Sequence, residues 1–429
     1  MGSCMKQIIS LHGDASNPAK CSERIEHAFS LGHWVDLSNS TGEKVFISVN
    51  RLPEGPGIII SSSGSTGGPT KCIQPCKNMT LSALATAEWL IEQGIQPEKC
   101  QIMNGLPISH VSGLMPWWRS KSWDANHLWL NPALMRSPFE LEKYCKSFFV
   151  NNCRPLITSL VPTQLKRLLE HPAGVKWLRH FSVVWIGGAP LPHQLAMIAR
   201  RERIHLAPCY GSSETMAMVT ALSPHDFLQG RTDCGTPLRD VDLRIGEKQA
   251  LEIRTPRLAK YIWKNEKLQI IDNKDGWWKS GDSAELIKEN NQTRVKIIGR
   301  IDNAIHSGGE TIFPEKLQEQ LLQEALTHQI PIESLILVGT NHEVWGERLV
   351  ALVKLNRSCK ESQSSYIFSE LQKLVAEWHP AEKPIAWYKC QELAANTLGK
   401  WNLKHWREWI KTKAPIIHQQ GRNNSIDCK

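Results

Sequence analysis

The segment Ser61 to Lys71 reads SSSGSTGGPTK and follows the apolar run GIII at Gly57 to Ile60. Its glycines permit sharp turns, so successive backbone N–H groups can converge into an anion-binding nest. Ser63, Ser65 and Thr66 add hydroxyl donors, and Lys71 adds a mobile positive charge. Such a set suits a polyphosphate. It is not a Walker loop, which counted from Gly64 needs glycine at 69 and then Lys-Ser/Thr; the chain has Pro69, Thr70 and Lys71. The same composition also describes a flexible Gly/Ser connector. Alone, the loop leaves linker and phosphate site both open.

The elements around it narrow the choice of fold. From about residue 55 to 300, apolar strand-like runs alternate with helical patterns. GIII leads to KNMTLSALATAEWLIEQG, where Leu84, Ala87 and Ile91 recur at helical spacing, with Asn78 placed to cap the helix and Gly94 to stop it. PLITSLV leads to a helix started by Pro162, with Leu165, Leu168 and Leu169 on one face. FSVVWI runs into GGAPLP at Gly187, and IHLAPCYG is a further strand-to-loop passage. This alternation predicts an α/β class: a large N-terminal α/β domain with a mostly parallel sheet. Ligands of such sheets gather in loops at the strands' carboxyl ends, where SSSGSTGGPTK, GGAPLP and CYGSSE fall.

After Asp282 the pattern changes. VKIIGRID reads as a short strand ending in a charged turn, followed by the helix PEKLQEQLLQEAL, the strands SLILVGT and RLVALVKL, and a helix near Phe368 to Ala376. These predict a small C-terminal α+β domain over 302–429, after a large domain over 1–301. In KWNLKHWREWIK, Leu403, Trp406 and Ile410 recur at helical spacing among basic residues. The expectation is a terminal helix laid on the small domain, in preference to a basic amphipathic helix for membrane or nucleic acid.

Bulk properties exclude more than they select. The chain has 429 residues, enough for more than one domain. A net charge of +9 suits an anionic partner such as a nucleotide, coenzyme A, nucleic acid or a membrane, without choosing between them, and is equally the charge of a merely soluble protein. No window approaches the roughly 18 apolar residues of a membrane span. MGSCMKQIISLHGDASNP contains no continuous apolar stretch, so no secretory signal is expected. The scattered cysteines offer no zinc-ligand spacing, and a cytoplasmic protein with reduced thiols is expected.

Several motifs resemble, in order, those of the adenylate-forming acyl-CoA ligases. SSGSTGGPTK is similar to their phosphate loop, GGAPL (Gly187 to Leu191) to the adenine-side loop, and CYGSSE to Tyr-Gly-x-Thr-Glu. KSGD resembles Thr-Gly-Asp, GRIDNAIHSGGETIFPEKLQ the hinge and start of the small domain, VWGERLVALV the Trp-Gly-Glu segment, and NTLGKWNLK the closing Thr-x-x-Gly-Lys. The resemblance spans residues 61 to 404. It implies an enzyme that joins a carboxylate to AMP and passes the acyl group to a thiol, with ATP, Mg²⁺ and coenzyme A. It further implies phosphate binding by Ser62, Ser63, Gly64, Ser65, Thr66, Gly67 and Lys71, and nucleotide contacts at Gly187, Gly188, Ala189, Tyr210, Gly211 and Ser213. Glu214 would hold the metal, Asp282 the ribose hydroxyls, and Arg300 would lie near the nucleotide. Asp302 would be the hinge of a domain swing, and Lys400 would reach the reacting carboxylate and phosphate. Two anions must meet, so positioned cations are what this chemistry needs.

LPISHVSGLMPWWR resembles the o-succinylbenzoate–CoA ligases of menaquinone and phylloquinone synthesis. His110 then stands beside the acyl pocket, as gate or acid contact, while Ser112 and Arg119 match the second carboxylate of the acid. A related aryl- or fatty-acid–CoA ligase is the alternative, and a degenerate, non-catalytic nucleotide-binding protein a further one. No nucleic-acid partner is implied, and a homo-oligomer is compatible with the sequence. The chain departs from the family pattern where the phosphate loop begins near residue 62, after a shorter lead than in most relatives. Thr70 also occupies the usual lysine position, and Ser213 and Ser280 replace threonines.

Overall fold

A computed structural model describes residues 7–11, 17–38, 51–62, 70–150, 153–271, 274–396 and 401–418. These fall into two compact units: one within 1–191, 195–280 and 284–297, the other within 192–194, 281–283 and 298–429.

The first unit is a mixed α/β body. Its seven-stranded sheet runs Thr236–Pro237, Ala217–Ala221, Leu206–Ser212, Val183–Ile186, Leu156–Leu160, Gln101–Asn104, Asn126–Trp129. The five strands from Leu206–Ser212 onward are parallel, as the alternation predicts. The other two are antiparallel, added by a hairpin that folds back just after Tyr210-Gly211-Ser212. A six-stranded sheet begins with three parallel strands, Ile8–Ser10, Trp34–Asp36 and Gly57–Ser62. It continues antiparallel through Thr70–Pro75, Tyr261–Lys264 and Lys267–Ile270. A four-stranded sheet, Asp242–Ile245, Ala250–Arg254, Trp278–Glu289 and Gln292–Arg300, completes the sheets that precede the small unit.

The helix Cys76–Glu92 corrects one expectation. Leu84 and Ile91 are 50% and 60% exposed, and the buried residues are Asn78, Met79, Ser82, Ala83, Ala85, Thr86, Trp89 and Leu90. Asn78 lies inside the helix, and Pro75 is its N-cap. The buried polar side chains explain the inversion. Ser82 Oγ donates to the Met216 carbonyl at 2.6 Å, and Asn78 Nδ2 to Gln74 Oε1 at 2.8 Å. Their bonds make burial favourable without apolar character. The Pro162 helix, Pro162–Leu169, buries Leu165 and Leu168 as its pattern predicts.

The second unit is α+β. The strands Ile332–His342 and Gly346–Leu355 form a hairpin, and Ala386–Lys389 joins the latter in parallel. Helices Pro314–Thr327 and Ser364–Leu374 pack on a core that includes Leu321, Leu335, Leu349, Phe368 and Trp387. The helix Leu403–Lys411 buries Trp406 and Ile410 against Ile336, Val338 and Leu352. Its apolar face is therefore used inside the unit. No described helix is long and apolar enough to cross a membrane.

Replacing Leu84 or Ile91 by lysine is expected to change stability by no more than about 0.5 kcal/mol. Leu90→Ala, at a fully buried position of the same helix, should cost about 2–5 kcal/mol. Urea titrations of the three variants check the assigned face.

Candidate functional site

The strands Gly57–Ser62 and Thr70–Pro75 pair antiparallel, with Ser62 opposite Thr70 and Ser61 opposite Lys71. Ser63, Gly64, Ser65, Thr66 and Gly67 lie outside the described residues, as does Lys400; of Ser62 only the backbone is described. Lys71 is 1% exposed. Strand alternation puts it on the face of Ile73, and puts Thr70 on the face of Gln74. The distinction matters because Gln74 reaches the next motif. Its Nε2 donates to the carbonyls of Ser213 at 2.7 Å and Glu214 at 3.0 Å.

CYGSSE straddles a strand end. Tyr210 and Gly211 lie on Leu206–Ser212, and Ser213 and Glu214 enter the turn to Ala217–Ala221. A Cβ on Gly211 would come within 2.2 Å of the Ala217 carbonyl, so the return strand needs glycine there. Met216 and Ala217 take positive φ values of 50° and 88°, costly for residues with a Cβ. The turn is held from outside. The fully buried Arg257 donates from Nη1 to the carbonyls of Thr215 at 2.8 Å and Met218 at 3.0 Å. Its Nε and Nη2 bond the two carboxylate oxygens of Asp240 at 2.7 and 3.1 Å. Neither Gln74 nor Arg257 belongs to a recognisable motif, and both act over long sequence distances, so sequence reading missed them. The Glu214 carboxylate makes no hydrogen bond or ion pair with the described residues.

His110 is the N-cap residue of the helix Val111–Trp123, without a side-chain capping bond. The entry to this helix is fixed by Asn104 at the carboxyl end of its strand. Asn104 Oδ1 accepts from Leu106 N at 3.2 Å, and its Nδ2 donates to the Gly113 carbonyl at 2.8 Å. A Cβ on Gly113 would lie 2.1 Å from the Pro107 carbonyl, which accounts for the glycine of HVSG. Pro116 has no N–H to donate, so the Ser112 carbonyl is spared its usual helical bond. Seven residues separate Ser112 from Arg119, which puts both on one helical face.

Arg119 is 2% exposed, and its Nε and Nη2 have no hydrogen-bond partner among the described residues. Burial lowers its pKa to about 9; Cys209 opposes that shift, and Arg257 adds to it. The Cys209 thiol is itself pushed up to about 12 by burial, so it stays neutral and supplies no counter-charge. Gly187, Gly188 and Ala189 follow the strand Val183–Ile186 directly, at its carboxyl end.

The sequence of residues 8–257, more than half of the chain, matches the family model described as AMP-binding enzyme. The chain is an AMP-binding enzyme. Curated relatives of this AMP-binding enzyme include the 2-succinylbenzoate–CoA ligase of Salmonella typhimurium, 30% identical over 336 residues, covering 77% of this chain and 64% of the relative. That of Oceanobacillus iheyensis is 26% identical over 352 residues, with 80% and 68% covered. The chain thus spans about two thirds of the length of these relatives. Among solved structures, o-succinylbenzoate CoA synthetase from Bacillus subtilis in complex with its acyl-adenylate intermediate superposes with a TM-score of 0.72 at 19% identity, covering 96% of this chain and 88% of that one. ATP-bound MatB from Rhodopseudomonas palustris gives 0.68 at 18% identity, covering 95% and 79%. At these identities the likeness is one of fold.

In the second unit of the AMP-binding enzyme, three sequence-predicted residues meet. Arg300 grips Asp302 through Nε and Nη2 at 3.0 and 2.9 Å, and its Nη1 lies 3.4 Å from Asp282 Oδ1. Beside this cluster, Glu315 lies in the first turn of the helix Pro314–Thr327, and its Oε1 accepts from Asn303 Nδ2 at 2.7 Å. Burial raises its pKa above 4.5, assisted by Asp302 and opposed by the Asn303 bond and by backbone hydrogen bonds. The folded state thus keeps a proton that the unfolded chain has lost above that pH. Stability contributed below 4.5 falls away as pH rises through the raised value. Glu315→Gln should flatten the dependence while retaining the acceptor for Asn303. Thermal melts between about pH 4 and 8 check this: parallel curves for variant and wild type would contradict it.

Proposed function

We propose that this AMP-binding enzyme activates o-succinylbenzoate with ATP and transfers the acyl group to coenzyme A. The observation that carries the assignment is Arg119: a buried guanidinium with two donors unpartnered among the described residues, on the helix that HVSG begins. A cation so placed is costly until an anion meets it. An acid with a second carboxylate supplies that anion, and a monocarboxylic acid does not. The curated relatives named 2-succinylbenzoate–CoA ligase support the same acid.

In this mechanism the Arg119 fork holds the distal carboxylate, with Ser112 on the same helical face. His110, at the helix entrance, borders the acyl pocket. The other carboxylate attacks the α-phosphorus of ATP, and the bond to pyrophosphate breaks. Residues 62–71 hold the β- and γ-phosphates, and Gly187 to Ala189, Tyr210, Gly211 and Ser213 border the nucleotide. Glu214, whose carboxylate has no partner among the described residues, would hold Mg²⁺, a hard cation that takes one or two protein carboxylates. Bound there, Mg²⁺ supplies positive charge against the triphosphate. Asp282 accepts from the ribose hydroxyls, and Arg300 orients it. Lys400, carried by the small domain over 302–429, approaches the carboxylate and phosphate oxygens, and Asp302 serves as hinge for the swing that follows. The coenzyme A thiol then attacks the acyl carbonyl and AMP leaves.

The purified protein with ATP, Mg²⁺, coenzyme A and o-succinylbenzoate should release pyrophosphate. Arg119→Ala should raise KM for this acid roughly 30-fold or more, the scale for removing one partner of a buried charge pair. KM for a benzoate-like acid should not change. Lys400→Ala should lower the adenylation rate at unchanged KM for ATP. Turnover of a monocarboxylic aromatic acid, with none of o-succinylbenzoate, would overturn the assignment.

A further inference from the structure

Trp185 is the third residue of the strand Val183–Ile186, two residues before Gly187. It is 2% exposed, and its indole Nε1 has no hydrogen-bond partner among the described residues. A buried, unbonded N–H is unfavourable, and a leucine or phenylalanine would fill a core position without it. The indoles of Trp34, Trp118, Trp177, Trp387 and Trp406 share that state, so what sets Trp185 apart is what its ring faces. Its face carries the largest negative potential of the aromatic side chains. The Arg119 guanidinium carbon stands 4.9 Å from that ring.

The surroundings leave the ring as the interaction that orients the guanidinium. Trp185 pairs with Ala207 across the strand to Leu206–Ser212, so alternation brings Cys209 to the same face of the sheet. Cys209 donates its thiol to the Ile186 carbonyl at 3.3 Å and carries no charge. Arg257, whose charge also acts on Arg119, is paired with Asp240. No described carboxylate forms an ion pair with Arg119. A second tryptophan, Trp89 of the helix Cys76–Glu92, meets Trp185 with ring centroids 6.0 Å apart and keeps the indole from turning.

We propose that Trp185 is a positioning residue for acid specificity: its ring holds the Arg119 guanidinium and leaves the Nε and Nη2 donors to an incoming carboxylate. A protein carboxylate in the same place would orient the arginine equally well, but would occupy the fork that the substrate needs. A π-face orients the cation and uses none of its N–H groups. This rests on the acid assignment above for the identity of the ligand.

The test is a graded series, Trp185→Phe and Trp185→Leu, each alone and with Arg119→Ala, assayed for pyrophosphate release with o-succinylbenzoate. KM for the acid should rise from Trp to Phe to Leu, reaching roughly tenfold for Leu, the scale of a desolvated cation–π contact. kcat and KM for ATP should stay unchanged. On the Arg119→Ala background, Trp185→Leu should add nothing further to KM, because its effect passes through the arginine. An equal rise on both backgrounds, or no rise in a folded Trp185→Leu enzyme, overturns the proposal. Should the Leu variant fail to fold, Trp185→Phe alone decides: an unchanged KM overturns it. If Arg119→Ala by itself leaves KM unchanged, the acid assignment falls. If Arg119→Ala raises KM and the Trp185 series does not, only the role of Trp185 falls.

Discussion

The five hydrogen-bonding contacts that Arg257 makes within the first unit set the geometry on which its site depends. One side chain, wholly out of water, ties Asp240, Thr215, Met218 and, at 3.5 Å, Ser82 into a single frame. The peptide it holds contains two consecutive left-handed residues, an arrangement that costs about 1–3 kcal/mol each and persists only under external constraint. Glu214 sits on that peptide. Gln74 clamps its other side, so the metal-binding candidate and the root of the hairpin that carries the phosphate-loop candidate share one attachment. A site that must bring a triphosphate and a carboxylate together benefits from groups whose positions are settled before either anion arrives.

Much of this was legible in the sequence, and the failures have a common physical cause. Parallel strands, proline-started helices and the small α+β unit follow from local pattern, which Leu165, Leu168 and the pairing of Ile157 with Val183 obey. The helix Cys76–Glu92 does not obey it. Periodicity counts apolar residues, whereas Ser82 and Asn78 are buried because they donate to the distant carbonyls of Met216 and Leu258, and Thr86 because its hydroxyl is bonded to the Ser82 carbonyl one turn back. Arg257 and Gln74 are invisible for the same reason: their partners lie tens to hundreds of residues away. Burial of Lys71 could have been anticipated from the strand that follows the loop: Cys72 and Ile73 lie on opposite faces and both read as core, so both faces of that strand are covered.

Two arginines show how the chain uses one side chain in opposite ways. Arg300 is part-exposed and shared between Asp282 and Asp302, so its charge is balanced and its role is to connect two acidic groups. Arg119 is buried against an indole, with two donors unpartnered among the described residues. The first arrangement tolerates rearrangement, because water can replace any one bond. The second is intolerant, because water does not reach so fully buried a side chain to replace a lost contact.

That intolerance reaches beyond catalysis. A protein whose interior contains an uncompensated cation is less stable empty than filled, and a ligand that binds only the folded state adds about 2.7 kcal/mol at a hundredfold excess over its Kd. In a cell the unfilled form spends more time open to proteases, and modest stability differences change steady-state abundance severalfold. On the proposed assignment, the acid that meets Arg119 would stabilise the folded enzyme as well as serve as its substrate, and its supply would then bear on how long the protein lasts.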